Sequence, residues 1–258
     1  MIRNLREIYQ YRALLFTMTA RELKARYRAS VLGFLWTFLN PTLNMLVFAV
    51  VGQLMGAWQP KYPFFLFVGQ LPWLYFATSI IAGASAISDR RDLLTKVRFP
   101  AQVLPSVVVL TNLANYMLAL PLLLALGLFF GDFPTWHVVY FLPVLLLQTV
   151  LTLAIVYAVS AFNVNFRDLQ HIVGNLITMM FFLTPIIWTV QGKPEWVQKW
   201  VPILNPMATF IIAYRDIFYE HRVPDLQALA AWGGVSVLLL WVTSLIFESR
   251  REEFAELV

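Results

Sequence analysis

Few side chains in this sequence could carry out chemistry, and their spacing assembles no familiar catalytic or metal site. The chain contains no Cys, which excludes disulfides, thiol nucleophiles and Cys-ligated metals. His137, His171 and His221 lie far apart, so we expect no metal cluster and interpret each as a surface or interface residue. The pattern Gly-x-x-x-x-Gly-Lys-Ser/Thr is also missing, so we do not expect the chain to bind and hydrolyse nucleotide through a P-loop.

Long apolar runs make up most of the chain, and the helices that they form must position the remaining polar residues. Six stretches contain no Lys, Arg, Asp or Glu: 29–60, 62–88, 99–131, 133–166, 169–192 and 226–247. A helix needs about 20 apolar residues to cross the hydrocarbon core, and the runs lack the alternation of barrel strands. We therefore predict an all-α integral membrane protein with six spans, at about 31–56, 63–88, 101–130, 138–163, 170–190 and 226–247.

The basic residues are concentrated in every second gap between these runs; the intervening gaps hold only Lys61, Lys193, Lys199, Arg215 and Arg222. Seven precede the first run, four lie between the second and third, Arg167 lies between the fourth and fifth, and Arg250 and Arg251 follow the sixth. The positive-inside rule then predicts that both termini are cytoplasmic. The net charge of +5 is interpreted as a topology signal and an attraction to anionic lipid headgroups, not as a nucleic-acid surface.

We divide the chain into an N-terminal interface helix, residues 1–30, and a single membrane domain, residues 31–258. In the first segment, apolar residues such as Leu5, Leu15 and Leu23 fall near helical spacing among charged residues. This pattern predicts an amphipathic helix that lies in the headgroup plane. The helix could be a plain anchor or a surface for a cytoplasmic partner.

The first cytoplasmic loop is predicted to contain a second amphipathic helix. Ser88 and Asp89 can cap a short helix that Pro100 ends. Its apolar residues lie among charges, and such a helix at a membrane edge is suited to docking in a partner's groove. The alternative is that this helix packs as a lid on the chain's own helical bundle.

The second cytoplasmic loop contains Arg167 and Asp168, which are adjacent and cannot pair with each other on a helix. The simplest interpretation is that Arg167 marks the cytoplasmic side and that Asp168 caps the start of the fifth span.

The outer segment 192–225 is predicted to hold re-entrant or interfacial helices. It contains Trp196, Trp200 and four Pro, and its charge-free run 200–214 is too short to cross a bilayer. Irregular backbone at membrane depth is tolerated only where protein buries it or it lines a watery cavity. The segment therefore predicts a gate near the outer face, with a Trp-rich interfacial cap as the alternative.

The apolar runs also contain many aromatic residues, and several fall near predicted span ends as an interfacial belt would. Six lie deeper and could face lipid or stack against sugar rings in a channel: Phe34, Phe38, Phe48, Tyr75, Phe181 and Phe182. The runs contain no carboxylates, which disfavours ion-coupled secondary transport and indicates that any energy comes from outside the chain.

The serial order of several short segments resembles the ABC-2 type permeases that export polysaccharides. Residues 25–36, Ala-Arg-Tyr-Arg-Ala-Ser-Val-Leu-Gly-Phe-Leu-Trp, and the following Asn40-Pro41 are similar to the start of these permeases. Further matches lie at 92–100, 165–169, 184–187 and 205–206, with Arg215 beyond. The resemblance covers essentially the whole chain.

The resemblance implies a homodimeric permease in the bacterial cytoplasmic membrane, paired with two copies of a separate ATPase subunit. That partner would hold ATP and Mg, and this chain would hold no cofactor. The cargo would be an O-antigen, capsule or wall teichoic acid precursor on polyprenyl diphosphate or another lipid. A small drug or lipid is the alternative cargo. An enzyme acting on polyprenyl lipids is a more distant one, because the cytoplasmic-loop carboxylates Asp89, Asp92 and Asp168 alternate with Arg.

The resemblance also implies roles for individual residues. Those expected to dock the ATPase are Arg21, Arg26, Asp89, Arg91, Asp92, Leu93, Leu94, Val97, Arg98, Phe99, Arg167 and Asp168. Those expected to line the channel are Phe34, Trp36, Phe38, Phe48, Tyr75, Phe181, Phe182 and Trp188. Arg26 and Arg28 would attract the lipid head, and the outer gate would contain Trp196, Trp200, Pro206 and Arg215.

Overall fold

A computed structural model describes residues 9–28, 30–56, 61–90 and 99–249, and within these ranges all regular structure is helical. The α-helices are α1 (Arg12–Arg26), α2 (Trp36–Leu54), α3 (Tyr62–Ala84), α4 (Val103–Phe129), α5 (Phe141–Asn163), α6 (Leu169–Leu183), α7 (Glu195–Leu204), α8 (Pro206–Phe218) and α9 (Leu226–Ser249). Short 3-10 turns occupy Gly33–Leu35, Ser88–Arg90 and Trp136–Tyr140.

Five helical segments of the described chain are long and apolar enough to cross a membrane. They are Gly33–Leu54, Tyr62–Ala84, Val103–Phe129, Trp136–Asn163 and Leu226–Ser249. These segments coincide with the first four and the last of the predicted spans. The chain is therefore a multi-pass membrane protein built from α-helices.

The fifth predicted span, 170–190, differs from the expectation because α6 ends at Leu183. At about 1.5 Å per residue, its 15 residues reach about 22 Å, which is short of the ~30 Å hydrocarbon core. Pro185 explains the early end, since a residue before proline is driven out of helical geometry. Thr184 has φ −91° and ψ 137°, in the extended region. Five of the six predicted spans thus correspond to helices long enough to cross a membrane, whereas the fifth apolar run forms a shorter helix followed by irregular backbone.

Helix α3 is the centre of the bundle. In its most apolar stretch 83% of residues are buried, against 22% in α2, and it contacts α2, α4, α5, α6 and α8. Helix α9 packs mainly on α5. Since α3 has protein on all sides, its near-continuous apolar sequence reflects burial in the bundle as well as membrane insertion.

Substitution of Gly83 by Ala is expected to weaken the packing of α3 on α5. An added methyl group would lie 2.6 Å from Cγ1 of Val156, whose β-branched side chain has little rotamer freedom. Such overpacking costs about 1–3 kcal/mol and should lower the thermal unfolding midpoint in detergent. The matched control is Gly174→Ala in α6, where the methyl group meets no neighbour within 4 Å. A midpoint for Gly83→Ala at or above that of the control would contradict this packing.

The N-terminal helix is attached to the bundle. In α1, Leu15 is buried against Val103 and Val107 at the start of α4. Arg90, just after α3, donates a 2.7 Å charged hydrogen bond to Glu22 of α1. The described part of the predicted interface helix therefore packs along α4, with its basic side chains left at the surface.

Helices α7 and α8 meet at a sharp break at Asn205. The side chain of Asn205 accepts hydrogen bonds from the backbone N–H groups of Met207 and Ala208, and Pro206 occupies the first helical position. The amide of Asn205 also donates to the hydroxyl of Thr184, which follows α6. Helix α8 is buried along most of its length, whereas α7 has no buried residue.

Candidate functional site

A cavity of about 450 Å³ lies between the end of α1 and helices α2, α3 and α4. Its lining combines one cation, Arg26, with the amides of Asn112 and Asn115 and the aromatic rings of Trp36 and Tyr75. Polar groups are scarce in such an apolar chain. Their concentration around one cavity makes it the best candidate for ligand binding in the described residues.

The polar lining is organised by hydrogen bonds between distant parts of the chain. Nη1 of Arg26 donates to Oδ1 of Asn112 over 3.1 Å. The hydroxyl of Thr37 donates to that of Tyr27 over 2.6 Å, and Tyr27 donates to Oδ1 of Asn115 over 2.9 Å. These bonds hold the end of α1 and the first turn of α2 against α4.

Of the two predicted lipid-head residues, Arg26 lines this cavity, whereas Arg28 is exposed outside the lining. Sequence reasoning missed Asn112 and Asn115. The available signal was their spacing of three residues within a largely apolar helix, which places both amides on one face.

The predicted channel aromatics are divided between two places near the bundle. Trp36 and Tyr75 line the cavity, and the Tyr75 ring stacks on that of Tyr116 with centroids 5.8 Å apart. Beside them, Phe34 in the 3-10 turn before α2 packs edge-on against Phe38 in the first turn of α2, with ring centroids 5.4 Å apart.

The other four aromatics predicted to line a channel gather where α2 meets α6. Phe48 lies 5.1 Å from Phe181 between ring centroids, and Phe181 contacts Phe182 edge-on at 5.2 Å. The indole N–H of Trp188 donates to the carbonyl of Phe182 over 3.1 Å. Phe182 is 59% exposed, so this cluster presents an aromatic edge to the outside of the single chain.

Six of the predicted docking residues lie in the described chain. Arg21, Arg26, Asp89, Arg167 and Asp168 are exposed, while Phe99 is half-buried with the Leu15 cluster. The remaining predicted docking residues lie outside the described residues: Arg91, Asp92, Leu93, Leu94, Val97 and Arg98.

The turn between α5 and α6 is capped differently from the expectation. Asp168 occupies the N-cap position of α6, but its side chain makes no cap hydrogen bond. Oδ1 of the buried Asn163 accepts from the backbone N–H of Gln170 instead. The carboxylate of Asp168 and the neighbouring Arg167 are therefore exposed and available to a partner.

Arg215, predicted at the outer gate, is only 5% exposed. Its guanidinium donates to the carbonyl oxygens of Pro185, Ile186 and Trp188, and lies 3.5 Å over the Phe65 ring. These carbonyls follow the end of α6, where no further helical turn supplies N–H donors. Arg215 therefore satisfies the irregular backbone that Pro185 creates, and its position on α8 connects that helix to the end of α6.

The other predicted gate residues lie at the surface of this end of the bundle. Trp196 is 66% exposed on α7, Trp200 is 48% exposed, and Pro206 begins α8. Asp132 links three loops: its carboxylate forms an ion pair with Lys61 at 2.9 Å and lies 3.2 Å from Nε2 of His221. Among the described residues, His, Asp and Glu form no group of three that could hold a metal ion.

Comparison with known proteins places these features in a family. The family described as ABC-2 type transporter matches residues 13–219. The chain is 58% identical over 258 residues to the O-antigen export system permease protein RfbA of Myxococcus xanthus, covering 99% of both chains. It is 28% identical over 247 residues to RfbA of Klebsiella pneumoniae, covering 95% of each, and 21% identical over 241 residues to the polysialic acid transport protein KpsM of Escherichia coli, covering 90% and 91%.

Proposed function

Because the chain belongs to the ABC-2 type transporter family, we propose that it is the membrane permease of an ATP-driven exporter that moves a lipid-linked polysaccharide across the bacterial cytoplasmic membrane. The observation that carries this proposal is its similarity, over nearly the full length, to permeases named for O-antigen export. The five candidate spans supply the multi-pass frame. ATP and Mg would be held by a separate partner subunit.

The proposed assembly contains two copies of this chain and two ATPase subunits. Exposed charges at Arg21, Asp89 and Asp168 provide a docking surface on the predicted cytoplasmic side, together with the helix predicted at 89–99. Closure of the ATPases would push on that helix. The Arg90–Glu22 ion pair and the packing of α1 on α4 offer a mechanical route from this loop into the bundle.

The proposed cargo path lies between the two copies. Aromatic edges of α2 and α6, such as Phe182 and Phe48, would face the glycan, since sugar rings pack on aromatic faces. Helices α7 and α8 would be the re-entrant outer gate. The break at Asn205 and the Arg215 contacts support a rigid α8 against which the exposed α7 can move.

Reversal of Arg26 and Arg28 to Glu is expected to reduce export strongly, by about tenfold or more, because the anionic diphosphate head would meet two negative charges instead of two positive ones. The measurement is surface polysaccharide per cell at matched permease abundance. Arg12→Glu, an exposed basic residue at the other end of α1, is the matched control. An export rate equal to that of the control would remove the proposed role of Arg26 and Arg28.

Loss of the chain from its native host tests the function itself. The proposal predicts that surface polysaccharide disappears while its lipid-linked precursor accumulates in the cytoplasmic leaflet, accessible only to enzymes added inside. The alternative, a permease for a small drug or lipid, predicts unchanged surface polysaccharide and altered sensitivity to amphiphiles. That second outcome would overturn the proposed cargo.

A further inference from the structure

The side chain of Gln148 is a polar group within the apolar helix α5, and it joins three helices inside the bundle. It is 0% exposed, and both ends of its amide have a partner. Nε2 donates to the carbonyl oxygen of Pro72 in α3 over 2.8 Å, and Oε1 accepts from the hydroxyl of Tyr214 in α8 over 2.7 Å. Tyr214 is also 0% exposed. A single buried amide therefore connects α3, α5 and α8.

This contact specifies position more than it adds stability. A buried donor or acceptor without a partner is destabilising, whereas an apolar pair of the same shape can pack nearly as well as a bonded polar pair. What hydrogen bonds add over apolar packing is direction, since they form only at defined distances and angles. The two bonds of Gln148 thus fix how far α3 and α8 lie along α5.

The bond to α3 falls at a turn where that helix lacks a backbone hydrogen bond. Pro72 lies inside α3 and has no N–H, so the carbonyl of Val68 loses the donor that another residue would supply. Sharp bends in helices occur mainly at such turns. Gln148 holds this turn from outside the helix, by donating to the carbonyl of Pro72 itself.

The helices joined by Gln148 lead to the two ends of α3. Beyond one end, Arg90 binds Glu22 of α1, and the segment 89–99 predicted to dock the ATPase follows. At the other end, Tyr62 donates to the backbone after α6, which is the segment that Arg215 of α8 also holds. Helix α8 packs in turn on α7. Gln148 therefore lies between the predicted docking end and the predicted gate.

We propose that Gln148 is a positioning residue for transport, because it keeps the Pro72 turn of α3 in register with Tyr214 of α8. A displacement of the cytoplasmic end of α3 then moves α8 and, with it, α7. This inference rests on the proposed function, which supplies the ATP-driven push on the segment after α3 and the gate at the outer end. Coupling between distant sites is carried by packed side chains and hydrogen bonds of this kind. Without the two bonds, α3 would bend at Pro72 and leave α8 in place.

The double substitution Gln148→Met with Tyr214→Phe tests this role. It removes both bonds while nearly keeping the volume of each side chain. Since both polar side chains become apolar together, the core should remain nearly as stable. The matched control is Gln227→Met, which makes the same exchange at an exposed position near the start of α9. The unmodified chain, the control and the double variant should share one unfolding midpoint to within a few degrees.

The measurement is the response of α7 to ATP. Because the native chain contains no Cys, Lys199→Cys at an exposed position of α7 gives each protein a single thiol. Complexes with the ATPase are purified from native membranes, placed in nanodiscs and treated with a maleimide, with and without MgATP and vanadate. ATP hydrolysis is measured separately without vanadate. We expect ATP to change the labelling rate at least about threefold in the unmodified and control proteins. The double variant should hydrolyse ATP normally and lose this response.

A double variant whose thiol responds to ATP like that of the control would overturn the inference. So would an unmodified complex without any response. A double variant in which ATP hydrolysis and the unfolding midpoint fall together with the response would show that the contact is only structural, and would overturn the inference as well. A chain that associates with no ATPase would contradict the proposed function and this inference with it, whereas an intact response in the double variant contradicts only the inference.

Discussion

Replacement of Arg215 by Met is expected to lower the thermal unfolding midpoint by about 10 °C. Three carbonyl oxygens after α6 would lose a charged donor, at a cost of about 3–5 kcal/mol in total. For a chain of this size, each kcal/mol corresponds to about 2–4 °C. Fluorescence-detected size exclusion after heating measures the midpoint in detergent.

Two further variants make the result specific. Arg215→Lys should fall between the native chain and Arg215→Met, because an ammonium keeps the charge but cannot reach several carbonyls in a planar fork. Lys193→Met removes an exposed cation from the same end of the molecule and should have no effect. A midpoint for Arg215→Met equal to that of Lys193→Met would show that the guanidinium does not hold the end of α6.

Simultaneous replacement of Leu93, Leu94 and Val97 by Glu is expected to abolish association with the ATPase. The apolar face of the predicted helix at 89–99 would carry three charges, and burying them in a partner's groove would cost far more than the contact gains. The measurement is co-purification of the ATPase with tagged permease from native membranes.

The matched control for docking is Thr95→Glu, which adds a charge to the same segment at an already polar position. It should retain the partner. Full retention of the partner by the triple variant, at normal permease abundance, would show that docking lies elsewhere, for example at the exposed Arg21 or Asp168.

Much of the fold follows from the charge pattern alone. Charged side chains are costly in hydrocarbon and therefore rare within membrane spans, so runs without Lys, Arg, Asp or Glu locate the membrane helices. The same reasoning failed for α6, because apolar composition does not report where a helix ends. Pro185 lies within the charge-free run, and its steric effect on Thr184 stops α6 after 15 residues.

In the candidate site, only a residue that is unusual by itself could be recognised from the sequence. Arg26 stood out as a cation next to an apolar run. Its partner Asn112 lies 86 positions away, and a single sequence contains no information on that pairing. Arg215 was predicted at the outer gate, but its burial and its bonds to the backbone after α6 were not predicted. Its burial depends on α8 being enclosed by α3 and α5, and this enclosure is a tertiary property.

The central claim is that this chain is the permease of a polysaccharide exporter driven by a separate ATPase. Its most direct test is gentle affinity purification of the tagged chain from native membranes, followed by mass spectrometry of every protein and lipid retained. We expect a P-loop ATPase in equal amount to the permease, together with a lipid-linked glycan. An ATPase accompanied only by small amphiphiles would contradict the cargo. A chain that purifies alone, in a detergent that preserves known transporter complexes, would contradict the account as a whole.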